Sequence, residues 1–99
     1  VIGLLRPIVQ VTAAILAPLL ARDPEVYESR AVQRWAKRYV SFMLLAKQET
    51  DYERKVQMVA RAMAARSALR HLSVEQKILD ELDLAIHLTV SKGEHGTPD

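Results

Sequence analysis

Between Glu25 and Lys92 the chain contains neither glycine nor proline. Glycine turns a chain by reaching positive φ, and proline by fixing φ and withholding an N–H. A stretch of this length without either has few ways to turn except at helix ends. It therefore folds as helices joined by very tight connections. The same absence excludes glycine-rich phosphate cradles, because the three glycines all lie near the chain ends.

Caps and apolar periodicity divide the 99 residues into four helices. The first runs from Ile2 to Ala21, with Pro7 suited to a helix start and Pro18 expected to kink or end it. The second opens at Asp23-Pro24-Glu25, with Asp23 as the cap and Pro24 in the first turn, and reaches Gln48. Thr50-Asp51-Tyr52-Glu53 is a capping box for a third helix ending at His71. Ser73-Val74-Glu75-Gln76 is a second capping box, opening a fourth helix that runs to about Ser91, with Gly93 just past its end. The expected architecture is all-α, a four-helix bundle with short antiparallel connections near Glu49 and Leu72. Residues 1–92 form one helical domain, and residues 93–99 are expected to be a disordered tail.

Placing residues at about 100° per step shows which faces are apolar. On the second helix, Tyr27, Ala31, Val32, Trp35, Ala36, Tyr39, Phe42, Met43 and Ala46 share one half, with the aromatic cluster Trp35, Tyr39 and Phe42 read as core. Val40 and Leu44 lie beyond it and suggest a second contact. On the third helix, Tyr52, Val56, Val59 and Met63 form one apolar stripe and Met58, Ala62, Ala65 and Leu69 another. On the fourth, Ile78, Leu79, Leu82, Ala85 and Ile86 form the main face, while Leu84 and Leu88 lie well off it. The first helix is apolar nearly all round and must be surrounded, by the other helices, by a second copy or by lipid. Apolar stripes on two sides of several helices exceed what a small monomeric bundle needs.

Charge is segregated behind a net value of +2. Residues 22–71 hold eleven basic and six acidic residues, and residues 72–99 two basic and six acidic. Arg30, Arg34 and Lys37 form one stripe with Ser41, and Arg38 sits at its edge. This is a candidate surface for an anion or nucleic acid, against the plainer reading of a solvated outer face. Arg66 and Arg70 interrupt an apolar line, and a hairpin turning at Leu72-Ser73 would pair Arg66 with Asp80 and Arg70 with Glu75. Asp80, Asp83 and His87 share a face but provide too few ligands for a closed metal site.

No catalytic residues, cofactor or metal are expected, and the chain is read as non-enzymatic. The favoured function is a helical protein-interaction or oligomerisation module, self-associating or an adaptor in a larger assembly, with Leu84, Leu88, Val40 and Leu44 at the interface. The competing readings are a nucleic-acid-binding protein using the basic stripe, and a membrane-associated subunit anchored by Val1 to Ala21. The absence of cysteine fits a reducing compartment, and a cytoplasmic location is expected.

Overall fold

The computed structural model describes the backbone of residues 2–95 and the side chains of residues 8–91. Its helices are α1 (Ile2–Arg22), α2 (Arg30–Gln48), α3 (Tyr52–His71) and α4 (Gln76–His95), and they form an all-α four-helix bundle. α2 and α3 make the most extensive pair, folded back on each other by the short connection at Glu49-Thr50-Asp51. α1 and α4 both pack against α2 and against each other. α2 is thus the central element, and this explains a departure from expectation. Val40 and Leu44 are 0% and 5% exposed. Their second contact is made inside the chain, because a helix flanked by three others buries more than one face. They are not available to a partner.

One core runs through the bundle. α3 lends it two small residues, Ala62 and Ala65, which let the α2 and α3 backbones come close. α4 lends it Ile78, Leu79, Leu82 and Ile86. Leu69, Leu79, Leu82 and Val40 are the largest fully buried side chains. Burying each contributes about 1.5–3 kcal/mol relative to leaving it in water.

The helix starts differ from the capping pattern, and the reasons are local. Asp23 does not cap α2. Its carbonyl accepts from the N–H groups of Val26 and Tyr27 at 3.1 and 3.3 Å, closing a turn. This turn delivers Tyr27 into the core, only 2% exposed. The helix restarts at Arg30 with Ser29 as cap, its Oγ accepting from the Val32 N–H at 3.4 Å. At the next joint Asp51 rather than Thr50 occupies the cap position. The carboxylate of Glu49 accepts from the N–H groups of Thr50 and Asp51, both at 3.0 Å. Ser73 does not open α4 but closes α3. With φ at 66° it donates to the Arg70 carbonyl, and Val74 donates to the Leu69 carbonyl, the bond pattern of a left-handed helix terminus. The sequence places glycine past the end of α4, yet α4 continues through Gly93 to His95, and no described glycine has positive φ. Residues 96–99 of the expected tail lie outside the described residues.

α1 continues through Pro18, which sits exposed on its outer side. Ile8, Ile15, Leu16 and Leu19 reach the core, and Thr12 is buried with its hydroxyl 3.1 Å from that of Ser41. The other side of α1 is exposed and still apolar, at Val9, Ala13, Ala14, Ala17 and Ala21. Among the residues whose side chains are described, no helix is long and apolar enough to cross a membrane.

Candidate interaction surface

Two apolar features stand outside the core. The first is the outer face of α4, where Leu84 and Leu88 are 56% and 57% exposed. They sit one turn apart, about 200° from the line of Leu82 and Ile86, so the helix that buries one pair must expose the other. Asp80 precedes Leu84 by one turn and is held by Gln76, whose Nε2 donates to its Oδ1 at 2.8 Å.

The second is a groove of about 380 Å³ between α1 and α2. Leu16, Leu20, Tyr27 and Ala36 line it within, and Val9, Ala13 and Ala17 form its α1 bank. Gln33, Lys37 and Ser41 form the α2 bank. Helical spacing places Arg30 and Arg34 on the same line as Lys37 and Ser41. The groove therefore has one uncharged bank and one that carries Lys37, with Arg34 and Arg30 farther along the same helix line.

The four basic candidates on α2, Arg30, Arg34, Lys37 and Arg38, are all exposed. Arg38 lies over the Trp35 ring, 4.9 Å from its centroid, and Arg61 of α3 lies 5.9 Å from the centroid of Phe42. Trp35 and Phe42 are accordingly half-buried, with guanidinium groups over their rings, rather than fully enclosed with Tyr39. The aromatics that the sequence pattern assigns wholly to the core stand next to the basic surface.

Beneath these surfaces a polar link ties α2, α3 and α4 together. The Tyr39 hydroxyl donates to Asp83 Oδ1. Arg66 donates from Nη2 to Asp83 Oδ2 at 2.9 Å and from Nε to Oδ1 at 3.4 Å. Arg66 thus pairs with Asp83 and not with Asp80. Ser73, Val74 and Glu75 intervene before α4 begins, shifting the facing register to the acid three residues on. Arg70 is exposed and takes part in no ion pair among the described residues. The bond to Asp83 raises the Arg66 pKa. Burial, then the bond to Asp83, pushes the Tyr39 hydroxyl well above the ordinary tyrosine range. Tyr27 is pushed up to about 12 by burial, then by the nearby charges of Asp23 and Glu81.

No protein family, curated protein or solved structure matches the chain.

The sequence brings out the leucine pair and the basic stripe but misses the groove. Its signal is faint: Ala13 and Ala17 are simply small, and only the approach of α2 turns that small-residue face into a bank. The apolar stripe of α3 is also only partly packed, with Tyr52, Val56 and Met63 exposed. Among the described residues no group of three or more histidines and acids is placed to hold a metal ion.

Proposed function

We propose that this small all-helical domain is a non-catalytic interaction module that self-associates through apolar surface left outside its own core. The observation that carries the reading is the exposed pair Leu84 and Leu88. Isolated surface leucines are ordinary, but two adjacent ones at one-turn spacing form a patch that another apolar surface can cover. Leu84→Glu with Leu88→Glu is expected to weaken association at least about a hundredfold, since covering each leucine contributes about 1.5–3 kcal/mol. Helicity stays as in the parent chain, because both positions are exposed. Light scattering after size exclusion measures the effect. A wild-type chain that is monomeric at tens of micromolar, or an unchanged mass for the variant, refutes it.

A second reading, nucleic-acid binding, is favoured by the basic surface running from Arg30, Arg34, Lys37 and Arg38 onto α3 at Arg61. It predicts retardation of a single-stranded RNA at low salt, lost on adding salt and on Arg34→Glu with Lys37→Glu. No retardation at low salt removes it.

A further inference from the structure

We infer that Leu84 and Leu88 of one copy dock in the α1–α2 groove of a second copy, head to tail; this rests on the self-association reading above. The groove is lined by α1, Tyr27 and α2, with nothing from α4, so the leucine pair and its receptor are different surfaces of the same molecule. The occupant that suits the groove lays apolar side chains along the neutral α1 bank and turns acid toward Lys37, which lines it, and toward Arg34 and Arg30 beyond it on the same helix line. The outer face of α4 meets both requirements. It carries two exposed leucines one turn apart, with Asp80 a further turn back. By sequence it belongs to the acidic end of the chain, six acids against two bases, although Lys77 shares the leucine line and Asp83 is already bound by Tyr39 and Arg66. The groove's α2 bank belongs to the basic middle, eleven bases against six acids. Pairing α4 with α4 instead sets two acidic segments together and covers only two leucines a side. Opposite charge and a preformed recess both favour the groove. Because the two surfaces differ, the contact is heterologous, and copies add until a ring closes or a filament extends.

The decisive experiment is complementation between two defective chains, read by light scattering after size exclusion. One chain is Leu84→Glu with Leu88→Glu, which keeps the groove. The other is Ala13→Glu with Ala17→Glu, which puts acid on the exposed α1 bank and keeps the leucines. Each alone is expected to be monomeric. An equimolar mixture is expected to give a one-to-one dimer of twice the monomer mass that grows no further, since one intact leucine pair meets one intact groove. Should the alanine variant lose helicity by circular dichroism, Arg34→Glu with Lys37→Glu supplies a groove-defective chain through charge alone.

A monomeric wild-type chain overturns self-association and the docking assignment together. A wild-type chain that associates, with a monomeric leucine variant and no dimer in the mixture, overturns the groove alone and leaves the leucine pair facing its own copy. A groove variant that associates as the wild type does also overturns the groove alone.

Discussion

Leu82→Ala is expected to destabilise the fold by about 2–5 kcal/mol, the range for emptying a packed leucine site. Leu84→Ala, two residues on, should change stability by no more than about 0.5 kcal/mol. Leu82 is 0% exposed and sits where α4 meets the rest of the core; Leu84 is more than half exposed. A domain of this size has a total stability of roughly 5–15 kcal/mol, so the first change removes a large share of it. Urea titration of the two variants checks the contrast through their midpoints, with the slope held constant. Equal losses at both positions contradict the rotation of α4 described above and the free leucine face that depends on it.

Asp83→Ala should cost about 2–3 kcal/mol, because one substitution strands two groups. Arg66, 20% exposed at its side chain, loses its carboxylate, and the Tyr39 hydroxyl loses its acceptor. Asp83 itself is 39% exposed at its side chain, which keeps the expected cost below that of a fully buried pair. Asp83→Asn retains an acceptor oxygen and should lose less. Arg66→Ala combined with Asp83→Ala should cost less than the sum of the two, the signature of a shared interaction in a double-mutant cycle.

Two buried tyrosines, Tyr39 of this link and Tyr27, give a pH dependence of definite sign. Tyr27 and Tyr39 both have folded pKa values raised above that of an unfolded tyrosine. In the native state they keep protons that the unfolded chain loses, so stability is fully present below about pH 10 and falls as pH rises. For Tyr27 the fall runs to about pH 12. Tyr39→Phe should flatten the alkaline decline of the urea midpoint, and an unchanged decline contradicts the assignment.

Much of the architecture is legible in the residues themselves. The missing glycine and proline, the apolar face of Ile78, Leu79, Leu82 and Ile86, and the ends near Gln48 and His71 all reflect local periodicity, which backbone geometry imposes wherever a helix forms. The misplaced starts share one cause. Thr50 and Ser73 both carry capping sequences, but whether a hydroxyl caps depends on backbone angles set by the path to the next helix. At Ser73 that path demands a left-handed residue. At Asp23 the demand is to bury Tyr27. Val40 and Leu44 were indistinguishable from an outward-facing pair until α2 proved to be the helix with three neighbours.

The amino-acid order by itself determined that this chain is helical, where its tight joints fall, that its middle is basic and its end acidic, and that Leu84 and Leu88 cannot share a face with Leu82. Those properties follow from a repeat of 3.6 residues per turn and from formal charge, both readable without a partner element. Only the tertiary structure decided that Val40 and Leu44 are enclosed, that Asp83 rather than Asp80 holds Arg66, and that the small face of α1 becomes one wall of a groove. Each of these depends on which helix lies opposite and in what register, a choice made by packing the whole core at once.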